Sequence, residues 1–334
     1  MISRTLAALL GAALLLGACS SDPEAEPAAP QGSTPAATSP TPTPTLPSLL
    51  AGRMGKPDGP ILAVKIDNTA KAHPQRGLTK ADVVYIEQVE GGVTRLVAIF
   101  SSQLPDKVAP VRSARHTDVN LLRQYGTVAL AYSGSNRGVG RALHKAPLKL
   151  LSNDVSHRGF ARTSSRPAPY NVIGDTAELM KRAGKVDKPK RVGYKFGEPP
   201  AGGKPAASVT ARYPRATVGA VWSEKRGEWL LSMDNRRDMA DEGGQLGAST
   251  FVVQYATVKG SKFHDVNGVT SPETETIGAG RALIFRNGQV FEGQWSRKKA
   301  ADPTSYTIGG QKAVFAPGTV WVALIGRGSP VSVR

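Results

Sequence analysis

Cysteine is all but missing from this sequence: Cys19 is the single one in 334 residues, which excludes an internal disulfide framework and a thiolate-bound zinc ion. Acidic side chains are few, 26 Asp and Glu against 43 Lys and Arg, so the formal net charge is +17. That surplus draws the folded part toward anionic surfaces such as phosphate polymers or acidic lipid headgroups. Aromatics make up only 6% of the chain and form no interleaved basic and aromatic platform of the kind single-stranded nucleic acid needs, so no nucleic acid partner is expected. None of His73, His116, His144, His157 and His264 has another histidine at ligand spacing, and there is no H-E-x-x-H, G-x-S-x-G or Walker A motif. No metal, no cofactor and no catalytic residue is therefore assigned, and an enzyme is the less favoured class.

Long hydrophobic runs are confined to the beginning. "MISRTLAALLGAALLLGACS" has an early cation at Arg4, an apolar run from Leu6 to Leu16 and small residues just before Cys19. The run is too short to cross a bilayer as a helix, and the pattern is that of a bacterial lipoprotein signal. Residues 1–18 are read as that signal and Cys19 as the lipid-modified mature N-terminus. Two acyl chains on one thioether suffice for stable anchoring to the outer face of the cytoplasmic membrane. Residues 19–59, dense in Pro, Thr and Ala, read as a disordered tether that holds the body roughly 35 Å or more from the bilayer.

The folded body opens with "GPILAVKIDN", a strand from about Ile61 to Ile66. "ADVVYIEQVEGGVTRLVAIFSS" reads as a hairpin turning at Gly91 and Gly92. "VRSARHTDVNLLRQYG" reads as a helix with Ser113 as N-cap and Gly126 as its stop, and "RALHKAPLKLLS" as a helix awkwardly interrupted by Pro147. In "GDTAELMKRAGK", Asp175 and Glu178 have capping-box spacing. After the Pro and Gly-rich break at 198–205, short strand-like runs take over, with Asn287-Gly288 as a hairpin tip. The fold class is α+β: an N-terminal α/β-type domain with a mixed sheet over 60–197, then a mostly β domain over 206–330.

Arg112 and Arg115 flank the start of the first helix, where positive charge is unwelcome unless something negative sits beside it. Two partners satisfy that condition. An external anion could be gripped by the guanidinium forks, or Asp67, Glu87 and Glu90 could form a buried ion network with Arg95, Arg112 and Arg115. Ser133 and Ser135 lie in "AYSGSNRGVGRAL", a glycine-rich link from strand to helix that suits a phosphate but equally suits a tight connection.

The stretches "AVKIDNTAKAHPQRGLTKADVVYIEQVEGGVTRLVAIF", "APVRSAR", "AYSGS" and "APYN", with "RALIFRNGQVFEGQWSRKKAADPTSY" and "FAPGTVWVALI" later, resemble in order and spacing the YerB-like bacterial lipoproteins, a two-domain family of unknown function. Departures are Ala109, where the family tends to have glycine, and Tyr170, where histidine is frequent. The resemblance implies an envelope location and a two-domain body but no reaction. The family motifs fall on Asp67, Asn68, Gln75, Glu87, Glu90, Gly91, Gly92, Thr94, Arg95, Arg112, Ser113, Arg115, Ser133, Ser135 and Asn171, and much of their polar and ionic chemistry is expected to converge on one cleft at the N-terminal domain. The expected role is a lipid-anchored module, outside a Gram-positive membrane, that binds an anionic cell-wall polymer or an envelope protein. A wall-acting enzyme using Glu87 or Glu90, and a scaffold for envelope assembly, are the alternatives.

Overall fold

The computed structural model describes residues 46–264 and 268–334, so Cys19, the signal and most of the tether lie outside the described residues. In the first half, strands β1 (Leu62–Asp67), β2 (Val83–Gln88) and β3 (Thr94–Phe100) precede helix α1 (His116–Leu122). Strand β4 (Val128–Tyr132), helix α2 (Arg137–His144), strand β5 (Leu148–Ser152) and helix α3 (Thr176–Ala183) follow. In the second half, β6 (Ser208–Tyr213), β7 (Ala216–Ser223), β8 (Glu228–Met233) and the short β9 (Arg236–Arg237) come first. Then come β10 (Thr250–Ala256), β11 (Val258–His264), β12 (Thr270–Thr274), β13 (Gly278–Arg286), β14 (Gln289–Arg297), β15 (Ser305–Ile308), β16 (Val320–Gly326) and β17 (Val331–Val333). The α+β class and the mixed sheet are as the sequence led one to expect.

One mixed sheet, in the order β15-β14-β13-β10-β16-β2-β3-β1-β4-β5, runs through both sequence halves. The junction is β16, which pairs in parallel with β10 on one side and with β2 on the other. Domains read as 60–197 and 206–330 therefore share a sheet. Both faces are covered, which is why β1 and β3 are apolar runs buried along their whole length rather than alternating. On one face the second sheet, β9-β8-β7-β6-β17, packs Trp229 against Phe285 of β13, in a core that also holds Leu231, Leu62, Val64 and Ile66. On the other, α1 and α2 contribute Leu121, Leu122, Val139 and Leu143.

Local signals explain most termini. The hairpin between β2 and β3 turns through Gly91 and Gly92 at φ 71° and 76°, and Asn287 and Gly288, at φ 49° and 67°, join β13 to β14. The Asp175 side chain accepts the Glu178 N–H at the start of α3. Three expectations need correction. Pro147 does not interrupt a helix: α2 ends at His144 and Pro147 separates it from β5, as expected of a residue that cannot continue a helical ladder. The N-cap of α1 is Arg115 and not Ser113, because Asp118 accepts the Arg115 N–H at 2.7 Å. The last part of the tether, from residue 46, packs on the body, since Leu50 and Ala51 offer apolar surface that buries completely. Arg53 fixes it there, bonding Asp82 at 2.5 Å and Thr319 at 2.7 Å beside the starts of β2 and β16.

Candidate functional site

Strands β1, β2, β4 and β5 run in one direction, and the chain passes from β1 to β2 on one side of it and later, after β3 and α1, to β4 on the other. Outside the C-terminal ends of such strands an open sheet leaves a crevice. The residues at this rim are ionic. Asp67 ends β1, Arg95 begins β3 opposite both Asp67 and Glu87 in register, and Glu87 lies near the end of β2. Because registered neighbours share a face, Asp67, Arg95 and Glu87 all point to the α1 side.

Lys65 stands two residues before Asp67 on this face and is completely buried. Its ammonium bonds Glu87 and, at 3.0 Å, Asp118 of α1. A lone buried cation would be costly, and here two carboxylates meet it. They also crowd one another: burial and the neighbouring Asp118 push the Glu87 carboxyl up to about 7 against the pull of Lys65. The second oxygen of Glu87, Oε2, has no hydrogen-bond partner among the described residues.

Arg112 reaches Asp67 through Nε at 2.6 Å, and its guanidinium carbon lies 5.9 Å from the centre of the Tyr170 ring. Burial alone would raise the Asp67 carboxyl, but the hydrogen bonds from Thr69 and the charge of Arg112 hold it below the usual range. Arg115 takes Glu90 with two donors, at 2.8 and 2.6 Å. Against the opposing effect of burial, that pairing holds the Glu90 carboxyl low. The Ser271 hydroxyl, from β12, bonds the other oxygen of Glu90. The turn at Gly91 brings Glu90 back toward the cluster, so Glu87 and Glu90 do not diverge to opposite faces as three-residue spacing on a strand would require.

Arg95 is different. Only 9% exposed, it forms no ion pair among the described residues, and its one hydrogen bond is a long 3.5 Å contact to the carbonyl of Ser113. Burial, then the adjoining Arg115 and Arg112, press its pKa down to about 10, which leaves it charged at neutrality. Lys65 is matched by Asp118 and shares Glu87, which titrates near neutrality. Outside that triad, Arg95, Arg112 and Arg115 face only Asp67 and Glu90.

Around the cluster, Ser133 donates its backbone N–H to the Arg112 carbonyl, and its hydroxyl accepts from Asn153 at 3.3 Å. Ser113 packs on Gly134, whose φ of 93° and the 2.7 Å between an added Cβ and the Ser113 hydroxyl both require glycine. Not every expected member joins. Asn68 and Thr94 bond each other at 2.8 Å on the opposite face, where Asn68 also meets Gln75 and Met233. Ser135 is exposed at the start of α2, and the Asn171 side chain is taken by Arg162 at 2.8 Å. Lys65, Asp118 and Ser271 belong to the cluster although the sequence did not single them out. A lysine inside an apolar strand was the available signal for the first. His116 is not a free polar residue: it lies 3.0 Å from Glu273 and against the Phe263 ring.

The second half also straps this rim. Strands β11 and β12 form a hairpin arm whose Thr274 N–H donates to Thr117 at 3.0 Å. Phe263 occupies the space a Cβ at Gly138 of α2 would need, 2.0 Å from its ring.

Comparison with known proteins adds a family. Residues 50–189 match the model described as "Protein of unknown function (DUF3048) N-terminal domain", and residues 209–322 match that of its C-terminal domain. The chain is 26% identical over 281 residues to YerB of Bacillus subtilis (strain 168), whose name describes it as a lipoprotein, with 79% of this chain and 80% of the relative covered. A crystal structure of the Bacillus subtilis YerB protein has the same fold, with a TM-score of 0.74 at 23% identity, 86% of this chain and 100% of that one being covered.

Proposed function

The chain belongs to this two-domain family of unknown function, and from that premise we propose that it is an envelope lipoprotein that holds an anionic envelope component at Arg95. Cys19 carries the lipid and anchors the protein to the outer face of the cytoplasmic membrane. The name of the Bacillus relative supports the anchor, and no described helix is long and apolar enough to cross a membrane.

One observation carries the binding role: a guanidinium nine-tenths buried with no carboxylate at ion-pair distance among the described residues. An uncompensated buried charge costs several kcal/mol (order of magnitude), and a planar fork of donors matches carboxylate or phosphate. A bound anion supplies what the protein omits. Arg112 and Arg115 flank it, each already oriented by an acid. Glu87 has a pKa suited to acid–base work. However, it is wholly buried with Lys65, which favours binding over turnover.

The test is titration calorimetry of the full-length lipoprotein with inorganic phosphate, poly(glycerol phosphate) and peptidoglycan fragments. At least one should bind saturably, with affinity lost at least about tenfold in Arg95→Met, as expected for charge-assisted bonds, while the variant's stability stays within about 1 kcal/mol of wild type or rises. Binding that is unchanged in the variant, or absent from the wild type, refutes the reading.

A further inference from the structure

On the face of the main sheet opposite Arg95, a cavity of about 430 Å³ opens where the segment following β1 meets the turn between β8 and β9. Its volume suits a small ligand, and such sites favour seams between structural units. Beside His73 and charged side chains its lining includes Ala70, Pro74, Met233 and Met239, which give it an apolar and adaptable part. Arg236 and Arg237 stand on its lining, exposed and without an ion pair among the described residues. Asp234 also lines the cavity, and its Oδ1 accepts the Thr217 N–H at 2.9 Å.

The seam is rigidly held. His73 Nδ1 lies 2.9 Å from the buried Asp238, the Asp241 N–H donates to the Gln75 carbonyl at 2.8 Å, and the Gly77 N–H donates to Glu242 at 2.5 Å. The pocket is thus preformed, and ligand binding need not order its walls. We propose that it binds a small anion bearing an apolar group, with the apolar body on the two methionines and the head at Arg236, which pairs in register with Met233 and so shares its face. This site is separate from the Arg95 cluster and does not depend on it.

The probe is anilinonaphthalene sulfonate, an aromatic sulfonate that fluoresces when shielded from water. It is titrated into the full-length lipoprotein in lipid nanodiscs, and the signal of empty nanodiscs is subtracted as the blank. Saturable binding at one site is expected. The Arg236→Ala, Arg237→Ala double variant should weaken it about tenfold or more, the scale of lost charge-assisted bonds. Met239→Glu, at a residue 41% exposed and therefore tolerant of the change, should abolish it. Octyl phosphate should compete where inorganic phosphate does not, and Arg95→Met should leave binding intact. Dye binding that survives both pocket variants, is lost in Arg95→Met, is displaced by inorganic phosphate alone, or does not saturate overturns the proposal.

Discussion

Lys65 and Arg95 are buried cations on adjacent strands and on the same face of one sheet, yet their surroundings are opposite. Lys65 is enclosed by Glu87 and Asp118; Arg95 has acids in register on both sides but is paired with neither. The first arrangement is closed and holds β1, β2 and α1 together. The second leaves donor capacity unused in a place where water competes poorly for it. Burial by itself therefore does not separate a structural charge from a functional one; the partner count does.

The contrast can be broken most easily at Lys65. Lys65→Met leaves two carboxylates buried against each other, and urea unfolding should show a loss of about 3–5 kcal/mol; a loss below about 1 kcal/mol would mean that the triad is not a structural clamp. Arg115→Ala should cost about 2 kcal/mol, the scale of hydrogen bonds to a charged group, because Glu90 keeps only Ser271. Arg95→Met should move stability by less than about 1 kcal/mol or raise it, since no pair is broken. Were it to destabilise as strongly as Lys65→Met, the distinction between the two cations would be gone. The subtlest effect concerns pH. Since burial raises the Glu87 pKa from 4.5 to about 7, its contribution to stability is fully present below about 4.5 and lost as pH rises through about 7, because the folded state retains a proton that the unfolded state releases. Melting curves over that window should therefore fall with pH in the wild type and flatten in Glu87→Gln.

What the sequence made legible was local. Gly91-Gly92, Asn287-Gly288 and the Asp175 cap each act within a few residues, and each is found where the pattern put it. The acid–arginine network was legible as residue types, because unpaired arginines beside a helix start demand a negative partner. Its membership was not. Ser271 meets Glu90 across 181 positions of chain, and no spacing rule reaches that far. Asn68 and Thr94 were grouped with their neighbours Asp67 and Arg95, although strand alternation sends adjacent side chains to opposite faces. Leu50 looked like part of a linker because its burial depends on Arg53 meeting Asp82 and Thr319, contacts made only after the sheet has formed.

The position of β16 has a consequence for how the protein is made. A ribosome delivers β2 and β10 long before residues 320–326, yet these last residues fill the gap between the two. Until those residues are made, both earlier strands present naked backbone edges, a state prone to intermolecular pairing. Any stop codon upstream of Val320 would make that transient exposure permanent, so truncated products should be found in aggregates and not as half-size soluble modules.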